Sequence, residues 1–312
     1  MRKSALALVA IAVAVLAAAA GAATPTHTTI TTQGSPGDMA VGLGSVWVTD
    51  HRLGVVYRID PRTNKFKAIE VGESLCSLPV FGGRAVWIWG CDSDVTYKID
   101  PSTNRVVGKR EGVNPAFAGG SLWTVSSSNT VLRIDPKSGV TLASISADVA
   151  NGGPTLGADG SMWISADDTV TRIGLETNKV KAVIPLPGWK PSGDLNGGFL
   201  YANYIAFAGG KIWNANAGGL YVIEPATNTA KRTKLVFHPL SVGGDVTPAS
   251  GAGSIWVRTS NGSIARVSAA SGALMARYPA DPRGGGGGVA YGFGSLWVSN
   301  VGSGTIWREP IR

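Results

Sequence analysis

The chain has 312 residues, of which 43 are Gly and 10 are Trp, and only 15% are Asp, Glu, Lys or Arg. Globular proteins carry about 7% Gly and 25% charge, so this Gly-rich, charge-poor, 44% hydrophobic composition excludes a disordered chain, and the lack of a three-residue Gly period excludes collagen. The formal net charge of +8 raises nucleic-acid or anionic-membrane binding, a reading that must be checked against where the charges fall.

Residues 1–22 read as a signal peptide. Arg2 and Lys3 open it, 5–20 is unbroken and apolar, and Ala20-Gly21-Ala22 is an A-x-A cleavage site. The alternative is an uncleaved N-terminal anchor, since 5–23 is long enough to span a membrane. No Cys follows, which excludes a lipoprotein. Loss of Arg2 and Lys3 lowers the net charge from +8 to +6. The mature chain, 23–312, is expected to be exported (secreted or periplasmic), to form one domain and to contain no further membrane span.

That mature chain repeats one phrase. GLGSVWV (42–48), GGRAVWI (82–88), AGGSLWT (118–124), ADGSMWI (158–164), AGGKIWN (208–214), GAGSIWV (251–257) and GFGSLWV (292–298) place Trp47, Trp87, Trp123, Trp163, Trp213, Trp256 and Trp297 at similar intervals. A second phrase follows each of the first six: YRIDPRTN (57–64), YKIDPSTN (97–104), LRIDPKSG (132–139), TRIGLETN (171–178), YVIEPATN (221–228) and ARVSAASG (265–272). The first phrase reads as a hairpin through Gly-rich turn residues, and the second as a strand ending in a turn. In that turn Pro presets the first position, Asp caps it, and Asn or Gly takes the left-handed one. With a fourth strand after each turn, such as KFKAIEV (65–71), the period of about 40 residues predicts an all-β fold: a seven-bladed β-propeller of four-stranded antiparallel blades. Short antiparallel hairpins argue against a solenoid. The last copy stops at its third strand, near 305–308, and a β-branched segment at 28–32 precedes the first copy without a hairpin partner. The N-terminal strand is therefore expected to complete the last blade and close the ring.

The basic residues Lys65, Lys67, Arg105, Lys109, Arg110, Lys179, Lys181, Lys231, Arg232 and Lys234 are expected to lie in fourth strands, where charge protects exposed edges. This argues against nucleic-acid binding. Cys76 and Cys91, the only cysteines, lie symmetrically about the Gly83-Arg84 turn and are expected to form a disulfide across the hairpin of the second blade.

In a propeller the links into the first strand and out of the second share one face, the mouth of the channel, and sites favour such loops. Candidate ligand-binding residues there are Asp50, His51, Asn216, Arg258 and Asn300 at second-strand exits, and Asp245 in a link, alongside Asp38 and Arg283. The longest interval between Trp residues holds an insertion, 185–204, with Trp189, Asp194, Asn196, Tyr201 and Tyr204. Aromatics mixed with Asp and Asn suit stacking on a sugar or covering a ligand. The Gly run at 284–288 reads as a flexible linker. His27, His51 and His238 have no convergent spacing, so no metal is required; Mg²⁺ or Ca²⁺ is the cofactor class that the mouth-side Asp and Asn would suit. No G-x-S-x-G nucleophile motif and no Cys-His pairing is present.

The G-x-G-S-[LVI]-W-[VI] phrase followed by R-I-D-P-x-T-N resembles the virginiamycin B lyase-like (streptogramin lyase) propellers and the related YVTN- and NHL-type repeat propellers, over about 28–312. The resemblance implies a seven-bladed propeller. In those lyases a His ten or eleven residues before the Trp, and a Glu three after it, act with Mg²⁺ to open the cyclic ester of a type B streptogramin by elimination. Here the positions eleven before hold Pro36, Cys76, Gly112, Gly152, Ala202, Asp245 and Gly286. Those ten before hold Gly37, Ser77, Val113, Gly153, Asn203, Val246 and Gly287, and those three after hold Asp50, Gly90, Ser126, Ala166, Asn216, Thr259 and Asn300. None is His or Glu where the lyases need them.

Two functions follow as expectations. The first is an exported, monomeric, non-catalytic scaffold that binds a small molecule, a saccharide or an envelope protein through mouth-side loops. The second is a Mg²⁺-dependent lyase or hydrolase of a cyclic ester or lactone, using Asp50, His51, Asp245, His238 and Asn300 as metal and base groups.

Overall fold

The computed structural model describes residues 27–147, 149, 153–166, 168–189, 204–216, 219–235, 237, 247–260, 262–283 and 285–311. They form seven four-stranded antiparallel sheets. In the first blade the strands are Pro36–Gly42, Ser45–Asp50, Val55–Ile59 and Phe66–Glu70, paired in sequence order from the channel outwards. Blades 2 to 6 repeat this over 80–111, 113–146, 153–185, 204–232 and 249–279. Blade 7 takes its inner three strands from 289–310 and its outer strand from Thr28–Thr31, in register Thr28↔Arg308. The ring is closed by the N-terminal strand.

Turn chemistry explains the hairpins. The two residues between first and second strands both have positive φ in every blade, from Leu43 (49°) and Gly44 (73°) to Phe293 (54°) and Gly294 (69°). Such turns match the twist of paired strands. After the third strand, Asp60 accepts the Arg62 amide at 2.8 Å, and Asp100 and Asp135 accept the Ser102 and Lys137 amides at 2.8 and 2.9 Å. Asn64, Asn104, Asn178 and Asn228 then turn left-handed at φ 52–58°.

The core is divided among the junctions between blades, and each junction's cluster contains one of the seven repeated Trp residues, all essentially inaccessible. Each indole N–H donates to the carbonyl five residues earlier, from Gly42 for Trp47 to Gly292 for Trp297, at 3.0–3.2 Å. That residue is Gly or Ala throughout. At Gly42 and Gly82 a Cβ would collide with Phe81 and Phe117 of the next blade, so a side chain there would push the blades apart.

The two repeated phrases meet in one inter-blade clamp. Directly opposite Trp47, Trp123, Trp163, Trp256 and Trp297 stand Arg58, Arg133, Arg172, Arg266 and Arg308, with each guanidinium 4.8–5.4 Å above the indole. Nε donates to the Ser hydroxyl of the same blade's first phrase (Ser45, Ser121, Ser161, Ser254, Ser295) at 2.9–3.0 Å. In four blades Nη1 crosses to the next blade's turn: from Arg58 to Asn104, Arg133 to Asn178, Arg172 to Asn228 and Arg308 to Asn64, at 2.8–3.0 Å, together with a backbone carbonyl of that turn.

The exceptions obey the same logic. Where the third-strand residue is Lys98 or Val222, the first phrase has Ala85 or Lys211 in place of Ser, and the next turn has Gly139 or Gly272 in place of Asn. Lys98 reaches the Pro136 carbonyl at 3.1 Å, seconded by Arg110 at 3.4 Å. Val222 reaches nothing polar, and the junction of blades 5 and 6 retains a 3.4 Å bond from Lys211 to Ala270. Asn and Gly both tolerate the left-handed turn; the clamp decides between them.

The clamp yields a double-mutant prediction. Asn178→Gly keeps the turn backbone and should cost about 1–2 kcal/mol in urea unfolding, because a hydrogen bond from a charged donor is lost. In an Arg133→Met background the same substitution should cost almost nothing, a coupling on the order of 1 kcal/mol or more. Equal costs in both backgrounds would show that Asn178 serves only its own turn.

Candidate functional site

The mouth is the end where second strands exit and where each fourth strand links to the next blade. Asp50 ends its strand fully buried and accepts four hydrogen bonds. Its Oδ2 takes the Ser35 amide (2.7 Å) and the Tyr57 hydroxyl (3.1 Å); its Oδ1 takes the Arg52 and Leu53 amides (2.9 and 2.6 Å). Gly34 lies so close to this carboxylate that no Cβ fits. Burial first, then the Asp50 charge and hydrogen bond, push the Tyr57 hydroxyl up to about 12.

His51 joins blade 1 to blade 2. The Leu75 carbonyl accepts only, so Nδ1 must be the protonated nitrogen of this 2.6 Å bond. Nε2 sits against Gly37, leaving no space for a Cβ there. Beside Leu75, the expected disulfide is present: Cys76 and Cys91 have Cα atoms 5.3 Å apart. Their amides bond to the Trp89 and Ser74 carbonyls at 3.0 and 2.8 Å, which carries the hairpin pairing past its short first strand, Val80–Gly82. Glu73, which the sequence did not single out, is gathered here. Burial opposes its charge, but hydrogen bonds from the Ser93 and Tyr97 hydroxyls and the Asp92 amide prevail and hold it below the usual carboxylate range.

The remaining predicted polar residues also fasten junctions. Asn216 donates to Asn214 (3.1 Å), and Asn214 donates to Ser165 (2.6 Å), tying blade 5 to blade 4. Arg258, wholly buried, donates to the Gly287 and Ser299 carbonyls (3.0 and 2.6 Å) and to Asn300 Oδ1 (3.3 Å), tying blade 6 to blade 7. Asn300 Oδ1 also accepts the Asp281 amide at 3.4 Å. The Ser299 hydroxyl donates to the Gly37 carbonyl, closing blade 7 onto blade 1. Asp38 accepts the Thr247 hydroxyl at 3.2 Å, reaching from blade 1 to blade 6. Arg258 and Asn300 are thus brought together; Asp50 and Asn216 serve separate blades.

Residues 285–288 of the Gly run are packed where a flexible linker was expected; Gly284 lies outside the described residues. Gly288 takes the Ser299 amide and Gly286 takes the Val301 amide at 3.1 and 3.2 Å. Gly287, at φ +123°, lies so close to the Ser299 carbonyl that a side chain is excluded. Close approach of two backbones dictates these glycines.

Trp189 is half-buried against the blade 4–5 core, whose cluster includes Trp163 and Tyr221. The Tyr221 hydroxyl is buried with no hydrogen-bond partner among the described residues, and burial raises its pKa. Tyr204 opens the first strand of blade 5, opposite Ala215. Asp194, Asn196, Tyr201, Asp245 and His238 lie outside the described residues. Among the described residues no group of three or more His, Cys, Asp or Glu converges, and no helix is long and apolar enough to cross a membrane.

Tyr57 makes the Asp50 arrangement testable. Below pH 10 the hydroxyl is protonated in folded and unfolded chains alike. Between 10 and about 12 the unfolded chain releases the proton first, so native stability falls as pH rises through that window. Urea unfolding from pH 8.5 to 11.5 should show this loss, and Tyr57→Phe should shrink it; equal pH dependence in both proteins would contradict the assignment.

No protein-family model matches the chain, and no curated protein does. Its fold is similar to that of several solved structures. A streptogramin B lyase superposes with a TM-score of 0.70 at 16% identity, covering 90% of this chain and 96% of that one. Hydrazine synthase of Kuenenia stuttgartiensis gives 0.68 at 12% identity, covering 89% and 96%. BamB of Moraxella catarrhalis gives 0.60 at 13% identity, covering 93% and 98%. At such identities the likeness is one of fold, and the chain is a seven-bladed β-propeller.

Proposed function

We propose that this chain is an exported, non-catalytic binding propeller whose mouth-side links around blade 5 hold its ligand. The observation that carries the reading is the distribution of the links. Blade 5 lies between the two longest fourth-to-first-strand connections, 186–203 and 233–248, while blades 2 and 3 are joined through a single residue, Gly112. Trp189 stands at the base of the first of these links, seated on the blade 4–5 core. Rigid sheets with long links at one place suit recognition by loops.

Two further points support it. Asp50, His51, Arg258 and Asn300 are engaged in fastening the ring, which argues against their serving as a base or as metal ligands in a lyase. A Cys76–Cys91 disulfide and the leader-like segment 1–22 agree with an oxidising compartment. A small molecule, a saccharide or an envelope protein fits this reading.

The test is thermal unfolding of chain 23–312 with oligosaccharides, cell-wall fragments, Mg²⁺, Ca²⁺, a chelator and a type B streptogramin. A ligand bound only by the folded state raises Tm. A saccharide or wall fragment should raise it by several degrees, unaffected by chelator. A variant with 190–203 replaced by a short Gly-Ser link should keep the unliganded Tm and lose the shift. Mg²⁺-dependent opening of the streptogramin ring would overturn the proposal, as would a ligand shift that survives in the shortened variant.

A further inference from the structure

On the face opposite the mouth, the turns between first and second strands repeat one geometry seven times. Their first position, at positive φ, holds Gly83, Gly119, Asp159, Gly209 and Ala252 in five blades, all residues small or polar enough for a left-handed backbone. In blades 1 and 7, neighbours across the ring closure, it holds Leu43 and Phe293, at φ 49° and 54°. A bulky side chain is unfavourable in that conformation. Neither gains by burial, because each is 45% exposed and belongs to no core cluster. Two bulky apolar residues held in left-handed turns of neighbouring blades and presented to solvent point to a contact outside the chain.

The chemistry around them is specific. Phe293 lines an open cleft of about 600 Å³ that continues past Gly44 to the blade 1 turn, where Arg62, Lys65, Phe66 and Lys67 line it. Phe66 is itself partly exposed. Among the described residues the only carboxylate lining the cleft is Asp60, which accepts the Arg62 amide at 2.8 Å and lies 3.6 Å from its guanidinium. Among the described residues Lys65 and Lys67 have no carboxylate partner. Blades 2 and 3 carry one basic residue each over the same turn, Arg105 and Lys137, and blade 4 carries Lys179 and Lys181 but has Glu176 where blade 1 has Arg62, so three cations gather at the blade 1 turn. Unpaired cations beside apolar tips complement a chain bearing carboxylates and apolar side chains together.

We infer that this underside cleft at the junction of blades 7 and 1 docks an extended acidic segment of a partner protein, with its apolar side chains on Phe66 and Phe293 and on Leu43 beside the cleft's Gly44, and its carboxylates on Arg62, Lys65 and Lys67. Three hydrocarbon contacts without a hydrogen-bonding group favour a polypeptide over an anionic polysaccharide, whose surface is hydroxylated. The site is distinct from the mouth-side links and stands whether or not those links bind a ligand.

The experiment titrates chain 23–312 against a fluorescent nonapeptide alternating Glu and Leu, with a Glu-Ser counterpart, polyglutamate and hyaluronate as comparisons. The Glu-Leu peptide should bind at 50 mM salt, at least tenfold more tightly than each comparison. Leu43→Gly with Phe293→Gly should weaken binding tenfold or more while Tm holds or rises, since Gly relieves the left-handed backbone. Lys65→Glu with Lys67→Glu should weaken it similarly and reduce its salt dependence. Failure of the peptide to bind overturns the inference. So does equal affinity for polyglutamate or hyaluronate, which would mark general electrostatic attraction. A fall in Tm for the double Gly variant would make Leu43 and Phe293 packing residues and overturn it too. The variant shortened at 190–203 should bind the peptide unchanged, which separates this face from the mouth.

Discussion

The ring rests on an arginine laid across a buried indole. A β-propeller blade can bury its faces only against its neighbours, so the whole core is a series of junctions, and each must be specified in register. Trp supplies the area, but an apolar face alone permits sliding. The guanidinium adds direction: it stacks on the indole, bonds to a Ser in its own blade and reaches an Asn in the next, fixing two strands of one blade and a turn of the next through one planar group. Its fork of donors suits this task, whereas Lys98 reaches its neighbour as a single charge and is supplemented by Arg110.

The fold was legible because it is repeated. The spacing of seven Trp residues gave the blade count, the unpaired strands at 28–32 and 305–308 gave the closure, and the symmetric placement of Cys76 and Cys91 about a turn gave the disulfide. The distinction between Asn64, Asn104, Asn178 and Asn228 on one side and Gly139 and Gly272 on the other looked like two solutions to one turn. It is governed by whether the preceding blade offers an Arg, a partner about 40 residues away in sequence. The signal was present as a correlation: Ser before the Trp, Arg in the third strand and Asn in the following turn occur together or not at all, except where blade 6 meets the broken turn of the ring closure.

The mouth was legible in position and less so in role. Asp50, His51, Asn216, Arg258 and Asn300 do lie at strand exits, as the hairpin reading required. What a linear pattern could not reveal is where each side chain finds its partner: a backbone carbonyl of the adjoining blade or link for Arg258 and His51, but groups of its own blade or entry link for Asp50 and a side chain of its own strand for Asn216. Burying a polar group at a strand end requires such a partner, in its own blade or the next. The Gly run shows the same limit from the other side: composition resembles a linker, while the carbonyl of Ser299 leaves room for nothing but Gly.

The clamp is missing where Val222 stands, so the ring is not uniform. Among the described residues, the junction of blades 5 and 6 is held at the clamp's position by hydrocarbon packing and an exposed lysine bond, and it adjoins the blade with the longest mouth-side links. Native-state hydrogen exchange of the seven indole N–H groups tests this most directly, because every repeated Trp makes the same bond to the carbonyl five residues before it. The Trp213 indole should exchange fastest, and Trp47, Trp123, Trp163 and Trp297 at the clamped junctions slowest. Fastest exchange at Trp297, where the chain ends meet, or a uniform rate across the ring, would contradict the claim that the clamp sets the strength of each junction.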